Sequence, residues 1–190
     1  MADDKKVLDD GELVLVKDYV EEIITDLKYS TEDNFTLKVI YNYSDAYLRY
    51  GTVKKLKKAQ EIFKKKGYRI KIWDAYRTVE AQRFMWEIYP DDDFVADPNI
   101  GFSNHNRGTA VDVTLVDEAG NELKMPTGFD DFEAVMNYDP EDEKNKERTE
   151  NASMLNEIMT SCGFRRSTTE WWHFNDTDKY PVVEGFNSII

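Results

Sequence analysis

The chain has only two histidines, and both sit among residues suited to metal-assisted hydrolysis. One lies in Ser103-Asn104-His105-Asn106-Arg107-Gly108-Thr109-Ala110-Val111-Asp112, and the other closes Glu170-Trp171-Trp172-His173. A histidine, a carboxylate and a second histidine fill three positions of a catalytic zinc and leave the fourth for water. Any fold that uses them this way must bring two distant segments together. Glu170, three residues before His173, is then a candidate base for that water.

Thr109 to Val116 is rich in β-branched residues and reads as a strand. Alternation puts Val111, Val113 and Leu115 on a core face and Ala110, Asp112 and Thr114 on the other. Asp112 is thus a carboxylate between small side chains, with room above it. His105 lies seven residues back across Gly108, where the chain can bend until both side chains converge. On their own, such residues would be a loop histidine and a solvent-facing aspartate. The second segment tips the balance. Glu170 and His173 would face opposite ways on a flat strand, so the strand ends or bends there. Trp171 and Trp172 read as core and wall, and as walls they would dry the cleft and strengthen its electrostatics.

Arg77 follows a strand pattern through Trp73-Asp74-Ala75-Tyr76 and precedes Thr78, a helix cap. A guanidinium there could stabilise an oxyanion, with Asp74 holding it by paired hydrogen bonds. An exposed Arg–Asp pair of little consequence reads equally well.

The remaining sequence bounds the answer. A chain of 190 residues, 41% hydrophobic with four Trp, ten Phe and eleven Tyr, suits a single domain over residues 1–190. The net charge of −13 opposes binding to phosphate backbones and anionic membranes, so no nucleic-acid or membrane partner is expected. Cys162 is the sole cysteine, so no intrachain disulfide can form, and its helical spacing from Ile158 and Met159 reads as core. Met1 to Lys6 has no apolar stretch behind it and no later run suits a membrane span, which reads most simply as a cytoplasmic enzyme.

Helical periodicity marks Val53, Leu56, Ala59, Ile62 and Phe63, stopped by Gly67. A second helix follows the Thr78 cap and ends at Pro90; a third spans Asn151 to Cys162 before Gly163. Asp139 to Glu150 is read as a solvated loop. Tyr68, Ile70 and Ile72 alternate as a strand, and Phe164 to Phe174 reads as a last strand pair. The expected class is α+β: one domain, a mainly antiparallel sheet packed with helices, and a zinc site in a cleft over the sheet.

These motifs resemble those of the VanX-type D-alanyl-D-alanine dipeptidases, zinc enzymes of a wider family that includes D,D-carboxypeptidases. Ser103 to Asp112 matches the family's Ser-x-His-x-x-Gly-x-Ala-x-Asp pattern, Glu170 to His173 its Glu-x-Trp-His element, and Asp74, Tyr76 and Arg77 its Asp-x-Tyr-Arg element. Asp26 to Ser30, Asn34-Phe35 and Met125 to Phe132 also look similar, so the likeness runs from about Val14 to beyond His173. The resemblance implies that His105, Asp112 and His173 bind one Zn²⁺, that Glu170 is the general base and proton donor, and that Arg77 stabilises the oxyanion. Ser103 and Asp74 become supporting residues. The implied substrate is the free dipeptide D-Ala-D-Ala. The alternatives are a D,D-carboxypeptidase with the same site, disfavoured by the tryptophan pair and the missing export signal, and a non-catalytic zinc module of the same fold. Glu170 and Arg77 count against the last, since a purely structural zinc needs neither a base nor an open position.

Overall fold

The computed structural model describes residues 8–186; the expectation for Met1 to Lys6 lies outside the described residues. In chain order these form β1 (Leu13–Leu15), β2 (Ile24–Thr25), β3 (Tyr47–Arg49), α1 (Tyr50–Lys64), β4 (Arg69–Asp74), α2 (Val79–Ile88), β5 (Ala110–Val116), α3 (Phe132–Met136), α4 (Lys146–Ser161), β6 (Phe164–Arg166) and β7 (His173–Asp176). The main sheet has the order β2-β4-β5-β7-β6 and is antiparallel except between β2 and β4. β1 and β3 pair separately. This is the expected α+β class with a largely antiparallel sheet.

β5 is the central strand, buried along its whole length. Val111, Val113 and Leu115 join a core with Val53, Leu56 and Phe63 of α1 and Leu155 and Met159 of α4. Helices α1 and α4 therefore cover one face of the sheet, and the face bearing Asp112 is left for the site. Between β4 and β5 the register slips: Ile72 stands opposite Val113, but Asp74 stands opposite Asp112, leaving Trp73 as the extra residue of a bulge. On the other side Asp112 stands opposite His173. Asp74, Asp112 and His173 thus form one cross-strand row.

Gly67, at φ +82°, ends α1 in the left-handed conformation that favours glycine. Thr78 caps α2, its hydroxyl accepting from the Ala81 N–H at 3.1 Å. The loop reading of Asp139 to Glu150 needs correction. Glu143–Asn145 forms a 3-10 turn and Lys146 onward is already helix α4. No apolar stripe marks these first turns. They are held from outside, by Lys124 pairing with Glu147 and by Arg148 donating to the Met125 carbonyl at 2.8 Å. Among the described residues no helix is long and apolar enough to cross a membrane.

Candidate active site

With Asp74 buried behind them, Asp112 and His173 of the cross-strand row line a cavity of about 270 Å³. His105 enters it from a single 3-10 turn, His105–Arg107, which Gly108 closes at φ 69° before β5 begins. The predicted bend is therefore present, and His105, Asp112 and His173 offer ligand atoms that all lie within 4.8 Å of one another.

The hydrogen bonds behind the rings decide what the rings present. His105 Nδ1 lies 2.6 Å from the Ala75 carbonyl, which can only accept, so Nδ1 carries the proton and Nε2 faces the cavity with a lone pair. His173 Nε2 faces Asn175 Oδ1 at 3.1 Å; that oxygen also accepts from Asn104 Nδ2 at 2.7 Å, so His173 Nδ1 is the free lone pair. The two lone pairs stand 3.2 Å apart, with Asp112 oxygens 2.9 Å from His173 Nδ1 and 3.4 Å from His105 Nε2. Two bare nitrogens and a buried carboxylate converging on one point call for a cation. Zinc–nitrogen bonds of about 2.0–2.1 Å at a tetrahedral angle put two nitrogens roughly 3.3 Å apart, close to the observed spacing. The donor set fits zinc. Burial pushes the Asp112 carboxyl upward, but the two histidines outweigh it and hold the carboxyl below the usual carboxylate range.

Glu170 lies in the turn before β7, so the strand begins at His173 and the spacing conflict disappears. Its Oε2 is 3.9 Å from His173 Nδ1. Burial raises its carboxyl to about 8, an effect partly offset by His173. Ser103 supports the turn from which His105 projects, its hydroxyl accepting from the His105 N–H at 3.2 Å.

Arg77 and Asp74 are buried, which removes the exposed-pair alternative. Arg77 Nη2 and Nε donate to Asp74 Oδ2 at 2.6 and 3.2 Å, while Asp74 Oδ1 accepts from Tyr41 Oη at 2.7 Å. Asn106 donates to the Arg77 carbonyl at 2.9 Å, tying this turn to the histidine turn.

Asp130 is a site residue that no local pattern singles out. It follows Phe129 in the Met125 to Phe132 stretch, at φ 56°, a left-handed conformation that aspartate tolerates better than most residues. It lines the cavity and accepts from Tyr29 Oη at 2.9 Å, and among the described residues no Lys, Arg or His is ion-paired with it. Burial raises its carboxyl to about 8, against the lowering effect of the Tyr29 hydrogen bond. The same Tyr29 ring lies 5.1 Å from the Arg77 guanidinium carbon.

The tryptophans do not line this cavity, contrary to their expected use as its walls. The aromatic wall consists of Tyr29, Phe35, Phe94, Phe102 and Phe132. Trp172 is buried against Trp73 and Phe129, and Trp171 donates its indole N–H to Thr127 Oγ1 at 3.0 Å. Their side chains brace the turn that carries Glu170.

Residues 9–188 match the peptidase M15 family, described as D-ala-D-ala dipeptidase. The chain is 39% identical over 178 residues to the D-alanyl-D-alanine dipeptidase of Escherichia coli (strain K12), covering 92% of this chain and 91% of that one. It is 32% identical over 188 residues to the D-alanyl-D-alanine dipeptidase of Streptomyces coelicolor, covering 86% and 91%. Against that of Enterococcus faecium the identity is 31% over 188 residues, covering 86% and 93%. A looser likeness in structure, with a TM-score of 0.46 and 18% identity over 73% of this chain and 76% of the other, is to a vancomycin resistance D,D-pentapeptidase, VanY; it carries no argument about the site.

Proposed function

The chain belongs to the peptidase M15 family of D-Ala-D-Ala dipeptidases, and from that premise we propose that it is a zinc-dependent enzyme hydrolysing D-Ala-D-Ala to two D-alanines. In this reading His105, Asp112 and His173 hold one zinc. Zinc in such a site supplies Lewis acidity, lowering the pKa of a water toward neutrality and polarising a carbonyl.

The other roles belong to the chain's own groups. Glu170 takes the proton of the attacking water and passes it to the leaving amine. Its burial disfavours the charged carboxylate, which helps it keep that proton between the two steps. Arg77 has further N–H groups beyond those given to Asp74 and turns them to the developing oxyanion. Asp130 receives the substrate ammonium. A half-buried carboxylate without a cation is costly, and an ammonium supplies the missing charge. Ser103 keeps His105 in place through its backbone, and Asp74 does the same for Arg77.

The observation that carries the dipeptidase reading over the carboxypeptidase one is Asp130 in so small a cavity. At about 270 Å³ the space lies just below the usual range of small-molecule sites, ~300–1,000 Å³. A free dipeptide brings an ammonium; a peptide acylated at that nitrogen brings no charge and a longer chain. The test compares kcat/KM for D-Ala-D-Ala and its N-acetylated form on one preparation, with and without a chelator. Strong preference for the free dipeptide, abolished by chelation, is expected. Comparable values would favour the carboxypeptidase.

A further inference from the structure

We propose that Gln82 is a positioning residue for Arg77, tying the guanidinium to the cavity wall at Ala96. The inference rests on the reading of Arg77 as the group that meets the oxyanion. Gln82 lies one turn into α2, after the Thr78 cap, and its side chain returns to Arg77. Arg77 Nη1 donates to Gln82 Oε1 at 2.9 Å, and Gln82 Nε2 donates to the Ala96 carbonyl at 2.8 Å. The two partners fix which way the amide points, because a guanidinium only donates and a carbonyl only accepts.

Gln82 is 0% exposed and does not line the cavity, so it acts on the reaction only through what it holds. Packing alone does not call for glutamine here. A methionine or leucine would fill the space without the cost of burying an amide. What the amide adds is a second point of attachment. Asp74 grips the guanidinium through Nε and Nη2, and a group held along one edge can still rock about it. Gln82 holds Nη1 and stops that motion. Its other end holds Ala96, which lines the cavity along with Asp92, Phe94 and Val95. Arginine and wall are therefore spaced by one amide.

The test is a double-mutant cycle on the zinc-loaded full chain with D-Ala-D-Ala. Gln82→Met should lower kcat by roughly 10- to 100-fold, the scale of a misplaced catalytic group. KM should stay within about twofold, as for a contact made only in the transition state. In an Arg77→Ala background the same substitution should cost less than about twofold, since nothing remains to be positioned. Equal losses in both backgrounds would overturn the proposal. Gln82→Glu keeps the acceptor for Arg77 but sets a carboxylate oxygen against the Ala96 carbonyl; it should recover kcat only in part, and it decides the question if the methionine variant fails to fold. A glutamate variant as impaired as an arginine deletion would also overturn the proposal. A readout independent of turnover is ¹⁵N NMR of the Arg77 side chain, assigned through Arg77→Lys. The Nη1 signal should shift and broaden in Gln82→Met, while Nε and Nη2, still held by Asp74, keep their positions. Identical spectra would refute the positioning role, whereas a wild type that leaves D-Ala-D-Ala intact would refute only the dipeptidase reading.

Discussion

The two sides of the cavity treat buried charge in opposite ways. On the sheet side, Asp74, Asp112 and His173 stand in one row fixed by the strand ladder; Asp74 is paired with Arg77, and Asp112 sits against the two histidine nitrogens. Asp112 is accordingly held below the usual carboxylate range despite its burial. On the loop side, Glu170 and Asp130 hang from connecting segments, and burial drives both up to about 8. The sheet side gathers its ligand atoms around one point in advance. In the proposed reading the loop side holds the acids that meet the reactants, Glu170 the water and Asp130 the ammonium. Rigid strands carry two of the three proposed metal ligands, with His105 supplied by its short turn, while the loops carry Glu170 and Asp130.

The sharpest way to break this division is His173→Ala. Removing a ligand from the row should strip zinc and take turnover with it, read by elemental analysis after dialysis and by D-alanine release. Full zinc at normal affinity would show that the row is not the metal side. Glu170→Gln should behave differently, keeping its zinc while losing turnover by about 10²- to 10⁴-fold, as for a lost general base. Zinc loss in that variant would move Glu170 to the sheet side of the comparison and make it a ligand.

Asp130→Asn should also keep zinc and should raise KM for D-Ala-D-Ala by roughly 10- to 100-fold, the worth of one charged hydrogen bond. Kinetics on the N-acetylated dipeptide should barely change, and a loss confined to kcat would reassign the residue. The smallest effect concerns stability. The folded-state pKa of Asp130 is raised from 3.8 to about 8, so its contribution is complete below the unfolded value and is lost as pH rises through the folded one. In chelator-treated protein, Asp130→Asn should therefore gain stability relative to wild type between about pH 4 and about pH 8, and no more beyond. Urea unfolding across that range measures it; a constant difference would mean that Asp130 is not buried as an acid.

The same division explains what could be read from sequence. The β-branched run around Asp112, the bend at Gly108 and the pairing of both histidines with acids are local patterns, and they place the row. Asp130 has no such mark. It is one of 38 acidic residues, and its partner Tyr29 is 101 positions away, so its burial is decided only when the loops pack. Whether Arg77 and Asp74 formed a surface pair was open for a similar reason, since their burial depends on Tyr41 and α2 closing over them. For the tryptophans, proximity in sequence to His173 gives no view of the cavity. Residues in a turn face several ways, and these two face the aromatic cluster behind it.

The slip at Trp73 makes the site a matter of parity. In an unbroken antiparallel pair, Trp73 would stand opposite Asp112, and its indole would occupy the place that belongs to a carboxylate. One surplus residue exchanges odd for even, and the exchange persists to the end of the strand. An insertion or deletion of one residue in β4 would thus disable Arg77 without touching a catalytic side chain, because the aspartate that anchors it would be dealt to the aliphatic side of the sheet. Only a change of two residues in this strand would keep Asp74 on the side that Arg77 faces.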